Sequence, residues 1–254
     1  MFSAKRVKRS LKKPARARRL SGLGGWFLRL MARCLLVFVL ISLGLVLIFR
    51  WLPPPTSSVM IQRYFQNNEA KQSAAPAIRY RWIAYENISP YAALAVVAGE
   101  DQKFAVHGGF DFAAIKQALE DKLAGKTLRG ASTISQQVAK NLYLWPGRSL
   151  LRKGLEAWFT MLLEMLWSKQ RILEVYLNIA ELGEQTFGVE AASWRFFSKS
   201  ARQLNREEAA LLAAVLPNPR YYRVDAPSSY IRRRQAWILQ QMRQLGGVHY
   251  LNSL

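Results

Sequence analysis

The chain has 254 residues, a formal net charge of +21, one cysteine and two histidines. That length holds one well-buried domain with an appendage. The single cysteine, Cys34, excludes an intrachain disulfide and a cysteine-based metal site.

The positive charge is concentrated at the start. Residues 1–33 carry 11 basic side chains and no acidic one, leaving +10 for everything after them. Basic arms can hold nucleic acid, but the next stretch argues against that partner. Residues 34–49 read CLLVFVLISLGLVLIF, without a charge. Counted from Leu30, with Arg33 snorkelling, the segment is roughly 30 Å long as a helix, enough to cross a bilayer. Arg50, Trp51 and three prolines at 53–55 end it. The positive-inside rule makes residues 1–29 a cytoplasmic arm, 30–52 a transmembrane anchor, and the remainder extracytoplasmic. No small-x-small cleavage site follows the apolar run, so the anchor reads as uncleaved. In a bacterium the arm meets anionic lipid, at about 1 kcal/mol per basic residue near the surface.

Residues 53–79 are rich in Pro, Ser, Gln, Asn and Ala. They read as a tether with one short helix through Ile61, Tyr64 and Phe65. Residues 80–85, YRWIAY, form the best strand candidate. Everything after them reads as helix. Ser89-Pro90 is a good helix start, because proline at the first helical position loses no needed N–H. Leu94, Val97, Ala98 and Asp101 then fall at helical spacing, which places Glu100 and Asp101 at the end of a buried helix. Carboxylates there are unfavourable unless paired, hydrated or used. Either a solvated helix end or a working acid–base group satisfies that condition.

Asp111 predicts a helix with Phe112, Ile115, Leu119 and Leu123 on one face, stopped by Gly125. Residues 126–130 are a basic loop. Ser132 is the predicted cap of the next helix, whose apolar face holds Ile134, Val138 and Leu142. A helix over 150–167 is expected to bury Leu151, Leu155, Trp158, Leu162 and Met165. Ser168 opens another, with Ile172, Leu173, Tyr176 and Leu177 inward. A loop over 183–188 precedes a short helix over 189–197. Asn205 and Glu208 make a capping-box start to a helix over 209–216. A last helix runs over 229–245, stopped by Gly246-Gly247. The expected domain covers 80–247, followed by a tail over 248–254.

Several groups join Glu100 as candidates for chemistry. Ser132/Thr133, Gln136/Gln137 and Lys140 recur at i, i+4 and i+8, with Asn141 next to them. Neutral amides and hydroxyls suit sugar hydroxyls, and a lysine near a helix N-terminus suits phosphate. A merely solvated face is the alternative. Arg148, Arg152 and Lys153 cluster before Glu156, although Arg152 and Glu156 also fit a surface i, i+4 pair. Lys169, Glu174, Tyr176 and Asn178 share a helix, where Tyr176 and Asn178 suit core hydrogen bonding as well as ligand contact. His107 reads as a helix-end hydrogen-bonder rather than a base. His249 has no assigned role.

The segments GEDQKFAVHGGFD, GASTISQQVAKN, RKGLE, KQRILEVYLN and LNREEAALLAAVLPNP occur in this order. Together they resemble the five motifs of the peptidoglycan glycosyltransferases, the family-51 enzymes that polymerise lipid II. The resemblance spans roughly residues 80–245. Bifunctional members append a transpeptidase domain with Ser-x-x-Lys and Lys-Thr-Gly motifs. Here Lys-Thr-Gly is absent, and the one Ser-x-x-Lys match, residues 10–13, falls in the basic arm, so the monofunctional members are the better likeness. Ser135 replaces a common threonine, and Phe197-Ser198 stands where Phe-Gly is usual.

The resemblance implies a mainly α, lysozyme-like fold with a cleft between a larger lobe and a smaller membrane-dipping lobe. Glu100 matches the general base that deprotonates the acceptor 4-hydroxyl, and Glu156 matches the second essential glutamate. Ser132, Thr133, Gln136, Gln137, Lys140, Asn141, Arg148, Arg152, Lys153 and Lys169 would bind substrate. Asp101, Phe104, His107, Glu174, Tyr176 and Asn178 belong to the motifs as structural residues. A divalent ion, magnesium or manganese, is implied at the substrate pyrophosphate near Glu100 or Glu156, with no organic cofactor. Implied partners are lipid II, the growing glycan, the bacterial inner membrane, and cell-wall or divisome proteins. A membrane-anchored lytic transglycosylase or lysozyme-like hydrolase is the competing reading. Against it stand Lys140, Arg148 and Arg152, which a neutral glycosidic bond does not need.

Overall fold

The computed structural model describes residues 23–69, 77–125, 132–147 and 149–254. Arg148 and the basic loop 126–130 lie outside them, as does most of the basic arm. The chain divides into two compact units, residues 1–42 and 43–254. Helix α1 (Leu23–Trp51) begins in the first unit and ends in the second. Its stretch Gly25–Trp51 is long and apolar enough to cross a membrane, with a mean hydropathy of 2.7 over its most apolar 18 residues.

In the second unit the end of α1 is part of the packed body. Val46 is buried, and its carbonyl accepts from the Trp167 indole N–H at 2.8 Å. Arg171 donates to the carbonyls of Phe49 and Leu52, filling acceptors that the last turn of a helix leaves open. The expected tether departs from its reading here. Helix α2 (Ser58–Glu69) docks on the body through buried Met60, the Ser58 hydroxyl on the carbonyls of Asn141 and Leu144, and the Arg63–Glu181 pair. Ile61, Tyr64 and Phe65 are instead its exposed residues.

The expected strand is only Arg79–Tyr80 (β1). It pairs in parallel with β3 (Thr186–Phe187), which pairs antiparallel with β2 (Glu181–Gly183). Of these, β3 arises inside the expected 183–188 loop, and β2 ends at that loop's first residue. Gly188, at φ +82°, comes so close to the Asn178 carbonyl that a Cβ would lie 2.5 Å from it. The rest is helical: α3 (Pro90–Glu100), α4 (Phe112–Leu123), α5 (Ile134–Tyr143), α6 (Leu150–Leu166), α7 (Lys169–Ile179), α8 (Val189–Phe197), α9 (Arg206–Val215) and α10 (Ser229–Gln244).

The caps explain most boundaries. Ser89 accepts from Tyr91 N with Pro90 in the first turn, and Asn205 with Glu208 closes a full capping box. Helix α3 is buried from Ala92 through Ala98 and packs on α9 and α10, while α5 packs on α6 and α7. Two apolar faces differ from expectation. Phe112, Ile115, Leu119 and Leu123 of α4 are all exposed, and α4 buries nothing. In α6 the inward residues include Glu156, Phe159, Thr160, Leu162 and Leu163, whereas Leu151 and Met165 face out. Helical period locates an apolar face without naming the medium it meets.

Candidate active site

Helix α3 ends at Glu100. Beside it Gly99 has no side chain, and a Cβ there would stand 3.3 Å from Ile238 of α10. The close approach brings Arg234 of α10 to Glu100: its Nη2 donates to Oε1 at 3.1 Å and reaches the Gly99 carbonyl at 3.4 Å. From α5, Gln137 Nε2 donates to Oε2 at 3.0 Å. The Gln137 carbonyl oxygen in turn accepts the Tyr176 hydroxyl at 3.1 Å, which fixes the amide's orientation. Tyr176 is fully buried, and that burial holds its hydroxyl protonated, far above the ordinary tyrosine range.

The Glu100 side chain is 15% exposed. Burial pushes its carboxyl above the ordinary glutamate range; the bond from Gln137, the charge and bond of Arg234 and the charge of Lys140 pull it back down. It opens into a cavity of about 250 Å³ whose walls include Gln102, Lys103, Asp111, Ser132 and Trp237. A carboxylate held this way suits general-base work.

The adjacent carboxylate has a different task. Asp101 is buried, accepts the Ile134 N–H in the first turn of α5 at 2.9 Å, and faces His107 Nε2 at 2.9 Å. Gly109 N–H donates to His107 Nδ1, so the proton sits on Nε2 and points at Asp101. His107 is therefore the helix-end hydrogen-bonder that its position predicts. Gly109 itself is at φ +88°, packed so tightly that a Cβ would lie 2.8 Å from Thr160 and Glu164. Phe104 is buried beneath, with the Lys169 ammonium 4.6 Å from its ring centre.

Lys169 also donates to the His107 carbonyl at 2.6 Å and pairs with Glu164 at 2.8 Å. It ties this loop to α7 and is not among the residues lining the Glu100 cavity. Glu174 holds Arg171 and the Tyr85 N–H, and Asn178 exchanges bonds with the backbone of Ile83. These are scaffold contacts.

The polar stripe of α5 divides by position. Thr133, rather than Ser132, is the N-cap, and it forms a capping box with Gln136. Gln136 is 4% exposed, its side-chain oxygen taken by Thr133 N–H. The Thr133 hydroxyl also donates to the Gly109 carbonyl at 2.7 Å. Ser132 is left exposed on the cavity wall. Asn141 is half-buried, with its carbonyl bonded by Ser58.

Lys140 is the link to the second cluster. Among the described residues it makes no hydrogen bond or close ion pair. Burial lowers its ammonium below the ordinary lysine range; Glu156 opposes this, Arg152 and Lys153 add to it, and Glu100 opposes it again. Glu156 is 3% exposed on α6 and is gripped by Arg152 at 3.4 Å and by Lys153. The Arg152 Nε is buried without a partner among the described residues. Of the expected substrate-binding cations, the structure thus brings Lys140, Arg152 and Lys153 together.

The implied divalent ion finds no ready protein cage. Both oxygens of Glu100 and both of Glu156 already accept from nitrogen donors, and no group of three His, Asp or Glu side chains gathers among the described residues. Sequence reasoning missed Arg234 and Trp237. The run Arg232-Arg233-Arg234 was visible, but nothing local joins it to a residue so distant in the chain.

A half-buried glutamate of raised proton affinity at a cavity, with a cationic cluster near it, makes this the site of an enzyme that moves a proton and holds an anionic group. Residues 67–243 match the transglycosylase family, and the chain belongs to that family. It is 51% identical over 226 residues to a biosynthetic peptidoglycan transglycosylase of Ectopseudomonas mendocina, covering 89% of this chain and 93% of the relative. It is 52% identical over 230 residues to a protein of the same description from Pseudomonas savastanoi pv. phaseolicola, covering 90% and 96%. The chain is a peptidoglycan transglycosylase, a glycosyltransferase.

Proposed function

We propose that the protein polymerises lipid II into β-1,4-linked glycan with Glu100 as general base. The observation that supports this most is the division of labour between the two clusters. Glu100 is a buried carboxylate with a raised proton affinity beside a cavity, while Lys140, Arg152 and Lys153 form a separate positive field around Glu156.

An alcohol is a poor nucleophile until its proton is taken. Glu100 accepts the proton of the acceptor GlcNAc 4-hydroxyl, and the oxygen attacks C1 of the donor MurNAc. Undecaprenyl pyrophosphate leaves from the opposite face, so an α linkage becomes β. The leaving group is already an anion and needs positive charge rather than a proton. Lys140, Arg152 and Lys153 supply it, and Arg148 stands next to them in sequence. Glu156 holds Arg152 and Lys153 in place by ion pairing and favours the charged form of Lys140. A divalent ion carried on the substrate pyrophosphate would add to that positive charge. The anchor α1 keeps the site at the outer face of the inner membrane, N-terminus inside, where both lipid tails stay in the bilayer.

The test is to supply purified full chain with fluorescent lipid II, with a chelator or with magnesium, and separately with finished murein. Glycan ladders from lipid II are the expected result, and the two lipid II arms report the ion's part. Cleavage of murein with no product from lipid II would instead make it a hydrolase.

A further inference from the structure

Trp237 is the feature of the site that nothing so far uses. Trp237 is 42% exposed, although it directly precedes buried Ile238, and it lies one turn after Arg234 on the same helix. It forms a wall of the cavity into which Glu100 opens. The Arg234 guanidinium stands 6.0 Å from the ring centre, so the residue that holds the base also fixes the ring. Among the described residues the indole N–H has no hydrogen-bond partner. The same cavity is lined by Gln102, Lys103, Asp111 and Ser132; Lys103 and Asp111 pair with each other at 3.2 Å, and Gln102 Nε2 donates to Gln241 at 3.0 Å.

A flat apolar surface rimmed by amide, ammonium, carboxylate and hydroxyl groups is the chemistry a pyranose ring requires. The ring's axial C–H face packs on the aromatic, and its hydroxyls take the polar rim. A phosphate has no use for the indole, and a lipid tail has no use for the rim. Lys140, Arg152 and Lys153 are not among the lining residues, so the cavity lies on the base's side of the site rather than the leaving group's. The sugar whose hydroxyl must meet Glu100 is the acceptor. We infer that Trp237 is the stacking platform for the acceptor hexosamine, and that it positions that sugar's 4-hydroxyl at Glu100. This rests on the polymerase reading above.

The probe is chitotetraose, which is soluble and ends in an N-acetylglucosamine with a free 4-hydroxyl. Full chain in detergent micelles should bind it, seen by saturation-transfer NMR, and it should inhibit lipid II polymerisation. Trp237→Ala should weaken binding on the order of tenfold and relieve the inhibition, while Trp237→Phe keeps most of both. The melting temperature should be unchanged, because the indole is half in solvent. Equal chitotetraose binding by wild type and Trp237→Ala overturns the platform, and so does no binding by wild type. The polymerase reading fails separately, if wild type makes no glycan from lipid II.

Discussion

Arg234 reaches Glu100 from 134 residues further along the chain, and its Nη2 meets Oε1 at 3.1 Å. The bond makes α10 part of the acid–base machinery. Two influences oppose each other at this carboxyl: burial raises its proton affinity, while Gln137, Arg234 and Lys140 lower it. The net direction is upward, so burial outweighs the groups that oppose it.

The pH–rate profile should show that balance. A general base acts only when deprotonated, so the acid limb of activity follows the Glu100 pKa. Removing a group that lowers this pKa moves the limb to higher pH. Gln137→Ala and Arg234→Met should both do so, the first by removing one bond to the carboxylate and the second by removing a bond and a positive charge. Glu100→Gln should lose at least about 10²-fold in rate at every pH. Unmoved limbs in both neighbours would separate them from the base.

Glu156 should show the opposite limb. It is the strongest influence keeping Lys140 protonated against burial. Glu156→Gln should therefore drop the Lys140 pKa further, so that Lys140 reacts with an acetylating reagent at lower pH than in wild type. Mass spectrometry of the modified lysines reads this directly. The same change strands the Arg152 side chain, 13% exposed, without its carboxylate. Stability should fall toward the lower end of about 3–5 kcal/mol, because Lys153 is open to solvent.

Much of this site is legible in the sequence. Glu100, Lys140, Arg152 and Glu156 can be picked out because each belongs to a short motif on α3, α5 or α6, where local spacing carries the information. Caps were equally plain at Ser89-Pro90 and Asn205/Glu208. Gln136 is the instructive miss: its residue type suits a sugar, yet Thr133-x-x-Gln136 is also a capping-box pattern, and burial decided between them. Arg234 and Trp237 come from α10, and only tertiary packing joins them to Glu100. The exposed face of α4 and the docked face of α2 failed for one reason. Periodicity identifies an apolar stripe, whereas its partner is set by the rest of the fold.

Thr133 and Ser132 are neighbours with separable roles. Thr133→Ala removes the N-cap of α5 and the bond to the Gly109 carbonyl, and should cost about 1–2 kcal/mol. Ser132 has no capping role, so Ser132→Ala should leave the melting temperature in place and lower the rate. Thermal unfolding of both variants beside lipid II turnover checks the contrast. Equal destabilisation by Ser132→Ala would return the cap to Ser132.

Arg171 should matter for its shape as well as its charge. Its guanidinium donates to the carbonyls of Phe49 and Leu52 and to Glu174 at once, closing the C-terminal end of α1 against α7. A positive group is favoured there by the helix dipole, and the planar fork supplies several donors in fixed directions. Arg171→Ala leaves those carbonyls open and the Glu174 carboxylate, 13% exposed, without its cation. The loss should exceed the 0–1 kcal/mol of a surface pair. Hydrogen exchange should rise over residues 46–52, with the α5 amides much less affected. Arg171→Lys keeps the charge but lacks the fork, and should recover less than half of the loss. Full recovery by lysine would reduce the contact to simple charge pairing.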